Sequence, residues 1–332
     1  MIEASGIRRT YVTRSMVGTH TVRALRGVDF TLPDGGAVSF IGESGCGKTT
    51  LGKILTGLET YDAGMLLIDG VDVSKVRGGK RTRLFQKIQM IHQDPYSALN
   101  PTRTIRQILG DPLRMRAKQL GKPRSWIEER AHELLTLVGL DGTSVLPKYP
   151  HALSGGQRQR IVIARALTVD PQVLIADEAV SMIDVSMRLG ILTLLRDLRR
   201  DLGISLMFIT HDVATARYVG EAGELHVIYR GEVIERGPTD VVITEPVHPY
   251  TQCLLSAVPV LHGLEREGED RLIPLGTLDE RVPADGCLFA ARCPFAQDNC
   301  QVEHPTLVSI GEDGQRHACF YPTVRHVVAT EV

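Results

Sequence analysis

The sequence lacks any run of about eighteen apolar residues, the length that a helix needs to cross a bilayer. Residues 1–6 lack the charged and then apolar layout of a secretory signal. Lys and Arg total 38 against 39 Asp and Glu, so the net charge of −1 gives no general attraction to nucleic acid or anionic lipid. We therefore expect a cytosolic protein without a nucleic-acid partner.

What is present is a globular composition, with 43% hydrophobic and 23% charged residues over 332 positions. Short apolar runs alternate with amphipathic helical stretches, which predicts an α/β fold with a largely parallel sheet. The clearest predictions are strands at 37–41, 173–176 and 204–209 and a helix at 49–58.

The pattern changes twice along the chain. Between residues 94 and 152 helical periodicity dominates, as at 126–138, and this indicates a helical insert. From about residue 237 frequent prolines, including those at 259, 274 and 283, predict a separate, loop-rich module.

A glycine-rich loop follows the strand at 37–41. Residues 42–49 read GESGCGKT and match G-x-x-x-x-G-K-[ST], with a strand before and a helix after. Backbone N–H groups of such a loop cradle phosphates, Lys48 reaches the β- and γ-phosphates, and Thr49 ligates Mg²⁺. The sequence thus predicts an ATP–Mg²⁺ site at Gly42, Ser44, Gly45, Cys46, Gly47, Lys48, Thr49 and Thr50.

A second glycine motif, LSGGQ at 153–157, opens a predicted helix that ends at Leu167. The chain here resembles the ABC ATPase family, whose signature is this sequence. The resemblance implies that Ser154, Gly155, Gly156 and Gln157 close on the ATP of a second ATPase subunit. It also implies an ATP-binding core at 1–93 and 153–236 with a helical signature subdomain at 94–152.

Two adjacent carboxylates end the apolar strand at 173–176. Strand alternation sends Asp177 and Glu178 in different directions. The resemblance assigns Asp177 to Mg²⁺ and makes Glu178 the general base for the attacking water. The alternative is that these two carboxylates are only solvated acidic groups at the end of a strand.

Further positions follow the family order. The resemblance implies that Gln93 contacts metal and water, that His211 bonds the γ-phosphate and that Asp184 crosses to the partner subunit. The aromatic residue that stacks on adenine is expected at Tyr11 or His20.

Within the family, residues 92–101 (HQDPYSALNP) and 245–251 (EPVHPYT) resemble the dipeptide and oligopeptide importer branch. This implies two integral membrane permease subunits, an extracytoplasmic substrate-binding protein and a peripheral position at the cytoplasmic face of the membrane. Related importers carry oligosaccharides or nickel chelates, and residues 181–184 (SMID) keep the sugar alternative open. A soluble non-transport ABC ATPase and a non-hydrolysing regulatory subunit are further alternatives.

Four of the six cysteines fall in the tail, without the close pairs that zinc ribbons use. Members of the importer branch carry a [4Fe–4S] cluster at cysteines placed in this way, and Cys293-Pro294 is typical of iron–sulfur ligation. The resemblance therefore implies a cluster at Cys287, Cys293, Cys300 and Cys319. Zinc and unligated packing cysteines remain the alternatives.

Overall fold

The computed structural model describes residues 1–15, 18–257 and 285–325. Part of the predicted tail, 258–284 with its three prolines and 326–332, lies outside the described residues. Two sheets organise the fold, one antiparallel with strand order β2-β1-β4-β5 and one mixed with order β11-β12-β10-β9-β3-β8-β7-β6.

The strands have the following bounds. The antiparallel sheet contains β1 Ile2–Ser15, β2 Gly18–Leu32, β4 Ala63–Ile68 and β5 Val71–Asp72. The mixed sheet contains β3 Ala37–Ile41, β6 Ile88–Ile91, β7 Val173–Asp177, β8 Ser205–Thr210, β9 Glu224–Tyr229, β10 Glu232–Pro238, β11 Val308–Ser309 and β12 Arg316–His317.

The helices are mostly short. They are α1 Lys48–Leu55, α2 Gly78–Gln86, α3 Pro95–Ala98, α4 Ile105–Leu120, α5 Ser125–Leu137, α6 Gly142–Val145, α7 Gly155–Leu167, α8 Val185–Leu202, α9 Val213–Val219, α10 Thr239–Thr244, α11 Pro249–Ser256 and α12 Asn299–Val302, with single 3₁₀ turns at Pro150–Ala152 and Ala290–Arg292. None of the helices in the described part of the chain combines the length and the apolar character needed to span a membrane.

A block of five parallel strands, β6, β7, β8, β3 and β9, forms the centre of the mixed sheet. Every residue of β3, β7 and β8 is buried, as expected for strands covered on both faces. The predicted α/β fold with a largely parallel sheet is confirmed. Because parallel strands end at one edge, the loops after β3, β7 and β8 lie side by side.

The helix after β3 is shorter than predicted. It begins at Lys48 and ends at Leu55, three residues before the predicted end at Leu58. Gly57 adopts φ +73°, a left-handed conformation that stops the helix. The α1 helix packs between the two sheets, where Leu51, Ile54 and Leu55 are fully buried.

Helices alone occupy residues 94–152, from α3 to the 3₁₀ turn at Pro150–Ala152. Their apolar faces share one core with α7 and α8, in which Leu109, Leu134 and Ile161 are fully buried.

The described part of the tail differs from the separate module that the prolines suggest. Strand β12 pairs with β10, and β11 pairs with β12, so the tail extends the mixed sheet. Tyr250 and Phe289 are buried in the same core as Ile41 and Val227 of the parallel strands. Loop-rich sequence therefore packs here because the sheet edge offers both hydrogen bonds and an apolar face.

Candidate active site

The phosphate-loop motif connects the end of β3 to the first turn of α1. Gly42 has φ +152° and Gly47 has φ +108°. A Cβ atom at Gly42 would lie 2.2 Å from the carbonyl oxygen of Ile228, and one at Gly47 would lie 2.2 Å from that of Ala24. Both positions therefore require glycine for conformation and for space. The loop wraps the helix N-terminus, where backbone N–H groups favour anions.

Lys48 is buried, although lysine is rarely found inside proteins. Its Nζ donates hydrogen bonds to the carbonyl oxygens of Gly42, at 2.6 Å, and Glu43, at 2.9 Å. Two carbonyl groups of the phosphate-binding loop thus fix the position of the Lys48 ammonium group.

Thr49 and Asp177 lie together across the ends of β3 and β7. The Thr49 hydroxyl donates to Oδ1 of Asp177 over 3.2 Å. Burial raises the pKa of Asp177, because a buried carboxylate loses its hydration. A bound Mg²⁺ would offset that cost, and Mg²⁺ commonly uses one or two protein groups and several waters.

Glu178 lies just beyond the end of β7 and has φ +48°, a left-handed conformation that is costly for a residue with a side chain. Its N–H donates to the carbonyl oxygen of Ile209 at 2.8 Å, and its carbonyl oxygen accepts from the Ser181 N–H at 3.1 Å. Asp177 and Glu178 do diverge, but strand alternation is the wrong reason: β7 has ended, and the left-handed turn redirects Glu178.

Two side chains from other elements meet the Glu178 carboxylate. Gln93, after β6, donates from Nε2 to Oε2 at 3.0 Å, and Nδ1 of His211, after β8, lies 3.3 Å from Oε1. The Glu178 side chain is 18% exposed and that of His211 is 58% exposed, so the three groups face an open surface. An amide, an imidazole and a carboxylate in contact can hold and deprotonate a water molecule.

The signature residues build a capped helix start. Ser154 is the N-cap of α7, its Oγ accepts from the Gln157 N–H at 3.2 Å, and Oε1 of Gln157 accepts from the Ser154 N–H at 3.0 Å. These are the reciprocal bonds of a capping box. Because Oγ acts as the acceptor, the exposed Ser154 hydroxyl keeps its proton to donate to an anion.

Comparisons with known proteins agree with this geometry. Residues 25–181 match the family model described as ABC transporter, and residues 234–300 match that described as oligopeptide/dipeptide transporter, C-terminal region. The dipeptide transport ATP-binding protein DppF of Escherichia coli is 41% identical over 323 residues, which cover 96% of this chain and 94% of that protein. The chain belongs to the family of ABC transporter ATP-binding proteins.

Other ABC proteins give the same result. A probable peptide ABC transporter ATP-binding protein of Sinorhizobium fredii is 41% identical over 90% of this chain and 82% of its own length. The ATP-binding cassette MJ0796, solved as a dimer in a post-hydrolysis state with ADP and phosphate, aligns with a TM-score of 0.61 and 28% identity. That alignment covers 72% of this chain and 99% of the cassette. The ABC cassette fold and its ATPase activity are thus established.

The remaining predicted ATP-site residues vary in exposure. Ser44 and Gly45 are exposed at the loop tip, Cys46 is buried beneath it and Thr50 is half-buried in α1. Asp184 is exposed at the N-cap of α8.

The two candidates for adenine stacking lie on the antiparallel sheet. Tyr11 on β1 is half-buried, donates its hydroxyl to Glu59 at 3.1 Å and has the Arg9 guanidinium 4.9 Å from its ring centre. His20 on β2 is exposed and pairs with Thr13. The adenine contact stays a prediction.

Sequence reasoning missed Glu43, a loop residue that binds the tail. Its carboxylate accepts from both terminal nitrogens of Arg292, each at 2.8 Å, and its N–H donates to the Tyr250 hydroxyl at 2.9 Å. No local pattern indicates these contacts, since 249 and 207 residues separate the partners.

The four tail cysteines line one small cavity with about 20 Å³ of free space, together with apolar side chains such as Phe289 and Phe295. Burial raises the pKa of Cys293 to about 12 and that of Cys319 to about 11. Within residues 1–15, 18–257 and 285–325, no group of three or more His, Cys, Asp or Glu side chains is arranged to hold a single metal ion. The structure thus brings the four cysteines to one cavity.

Proposed function

We propose that this chain is the ATP-hydrolysing subunit of an ABC importer for dipeptides or oligopeptides. The observation that carries the proposal is the coincidence of two matches in one chain, the ABC cassette and the oligopeptide/dipeptide transporter C-terminal region. Curated relatives that align with 86–97% of this chain are named as dipeptide or oligopeptide transport ATP-binding proteins.

In this function the loop from Gly42 to Thr50 binds the triphosphate. Lys48 exchanges its carbonyl contacts for the β- and γ-phosphates, whose negative charge a buried ammonium binds more strongly than neutral carbonyls. Thr49 and Asp177, whose side-chain oxygens lie 3.2 Å apart, would hold Mg²⁺ together with Gln93.

Glu178 acts as the general base. It removes a proton from the attacking water, which Gln93 and His211 hold against it, and the His211 ring also contacts the γ-phosphate. The left-handed turn supports this role because strained backbone conformations of this kind cluster at active sites.

The signature helix serves the ATP of a second subunit, homologous or identical to this one. The Ser154 hydroxyl and the N–H groups of Gly155, Gly156 and Gln157 supply donors at a helix N-terminus. Asp184, at the start of α8, contacts the partner across the interface. ATP bound to both subunits stabilises the closed dimer, and hydrolysis reopens it.

The chain divides by role into an ATP-binding core at 1–93 and 153–236, a helical subdomain at 94–152 and an extension at 237–332. The helical subdomain passes the closing motion to two integral membrane permease subunits, so the protein works peripherally at the cytoplasmic face of the cell membrane. An extracytoplasmic substrate-binding protein delivers the cargo, and nucleic acid has no part.

The tail cysteines bind a [4Fe–4S] cluster. Four cysteines line one apolar cavity, and four is the number of cysteine ligands that such a cluster uses. The free space of about 20 Å³ holds about one water molecule, so incorporation would widen the cavity. A bound cluster would serve a structural or redox-sensing role and would hold the four sulfurs as thiolates.

The test is ATP hydrolysis by the complete transporter in liposomes that contain its substrate-binding protein. We expect dipeptides or oligopeptides to stimulate turnover of the parent and not of the Glu178→Gln variant. Stimulation by oligosaccharides or nickel chelates instead of peptides would contradict the proposed cargo while leaving the ATPase role intact.

A further inference from the structure

Glu43 connects the phosphate-binding loop to the tail through hydrogen bonds and an ion pair. Its N–H donates to the Tyr250 hydroxyl, its carboxylate binds Arg292 through two parallel bonds, and its carbonyl oxygen accepts from Lys48 Nζ. One loop residue therefore connects the lysine that meets the phosphates to two residues at the other end of the chain.

Both tail partners are buried, so their polar groups need hydrogen-bond partners within the protein. The Arg292 side chain is 5% exposed and Tyr250 is fully buried, whereas the Glu43 side chain is 32% exposed. A buried guanidinium must be hydrogen-bonded, and Arg292 also donates to the Tyr229 hydroxyl at 3.3 Å. The rigid fork of Arg292 fixes the direction of the Glu43 carboxylate as well as its distance.

The anchored residue lies within the glycine-rich turn of the loop. Gly42, immediately before Glu43, adopts φ +152°, and the exposed Ser44 and Gly45 follow it. Lys48 contacts the carbonyl oxygens of both Gly42 and Glu43. A shift of Glu43 would therefore displace the acceptors that position Lys48.

The same two tail partners adjoin the cysteine cavity. Pro249 and Cys293 line that cavity, and they stand next to Tyr250 and Arg292 in the sequence. The 3₁₀ turn Ala290–Arg292 ends in the arginine, and α11 begins at Pro249. One peptide bond thus separates each tail partner of Glu43 from a residue of the cavity wall.

We propose that Arg292 and Tyr250 are positioning residues for ATP binding, which hold the phosphate-binding loop of their own chain through Glu43. The proposal rests on the ATP-binding part of the proposed function, and it depends neither on the cargo nor on what the cysteines bind. A tail that merely braces the fold would change stability without changing nucleotide affinity in the folded protein.

The experiment compares purified full-length variants for the Kd of ATP–Mg²⁺, for KM and kcat, and for thermal unfolding without nucleotide. Arg292→Gln is expected to raise Kd and KM about tenfold and to leave kcat within about twofold of the parent. Tyr250→Phe, which keeps the buried ring and loses only the hydroxyl, is expected to raise Kd about threefold. Arg217→Gln breaks an exposed ion pair with Asp240 of similar length, 3.0 Å, and is the matched control.

A double-mutant cycle separates positioning from bracing. Because Arg292 acts through Glu43, the Glu43→Gln/Arg292→Gln double variant should bind ATP about as weakly as Arg292→Gln alone. Additive losses in the double variant would overturn the proposal. So would Kd values within twofold of the parent for folded Arg292→Gln and Tyr250→Phe, and if Arg292→Gln does not fold, Tyr250→Phe decides. Failure of the parent itself to bind ATP would instead refute the proposed function.

Discussion

Nε2 of Gln93 donates a hydrogen bond of 3.0 Å to Oε2 of Glu178, although 85 residues separate them in the sequence. The contact joins the segments that follow β6 and β7. The hydrogen bond holds the carboxylate that we propose as the general base in one orientation.

The first prediction concerns Glu178→Gln, which keeps the shape of the side chain and removes the base. We expect ATP turnover to fall about 100-fold or more while the Kd of ATP–Mg²⁺ stays within about threefold. Glu129→Gln, in an exposed part of α5, is the control and should keep parental turnover. Parental turnover by Glu178→Gln would show that another group is the base.

The second prediction separates the two tasks of Ser154. Thr104 forms the same capping box with Gln107 at the start of α4, at 3.4 Å and 3.0 Å, and offers a matched comparison. Ser154→Ala and Thr104→Ala should each lose about 1 kcal/mol of unfolding free energy, measured by urea titration. Only Ser154→Ala should also lose ATP turnover. An equal loss of turnover in Thr104→Ala would indicate that Ser154 acts only as a helix cap.

Short sequence motifs were sufficient to predict much of the candidate site. The strand at 37–41, the glycines of the loop and Lys48 lie within a dozen residues, so a short motif specifies them. Gln93, Glu178 and His211 follow the ends of adjacent parallel strands, and such strand ends lie side by side in the fold. The order of the family's motifs along the chain was therefore enough to predict that these residues share one site.

Other features depend on distant contacts that a local pattern does not carry. The left-handed conformation of Glu178 depends on Ile209, on the neighbouring strand, and on the turn to Ser181. The Glu43–Arg292 pair and the addition of β12 to the sheet join the tail to the core across most of the chain. The antiparallel sheet of β1, β2, β4 and β5 was not predicted, although it encloses one side of α1.

The third prediction is that His226 lowers the stability of the folded protein in mild acid, because its protonation is unfavourable in the folded state. Burial lowers the pKa of His226, whose ring packs on Phe40 at 4.9 Å and whose Nε2 lies 3.0 Å from Oε2 of Glu224, with Arg236 nearby. In the described part of the chain its Nδ1 has no partner, so a second proton would be buried without an acceptor.

The sign follows from the proton balance. The unfolded chain takes up the proton near pH 6.5, before the folded protein does, so the contribution of His226 is complete above pH 6.5 and is lost as the pH falls. Thermal unfolding should show a decrease in Tm between pH 7 and pH 5. His226→Phe should flatten that decrease, whereas the exposed His20→Phe should not; an unchanged profile in His226→Phe would contradict the assignment.

The fourth prediction concerns the tail cysteines. Protein purified without oxygen should absorb visible light and contain about four iron atoms and four acid-labile sulfides per chain. Cys293→Ser should lose both, and Cys253→Ser, at a buried cysteine outside the cavity, should keep both. Colourless parent protein with stoichiometric zinc would contradict the iron–sulfur proposal.

The most direct test of the account measures the mass of the hydrolysis-blocked Glu178→Gln variant by light scattering, alone and mixed with the ATPase subunit of its transporter. With ATP–Mg²⁺ the account predicts a complex of two ATPase chains, which Ser154→Ala introduced into both chains prevents. A single chain in every mixture, with ATP demonstrably bound, would contradict the claim that nucleotide joins two subunits.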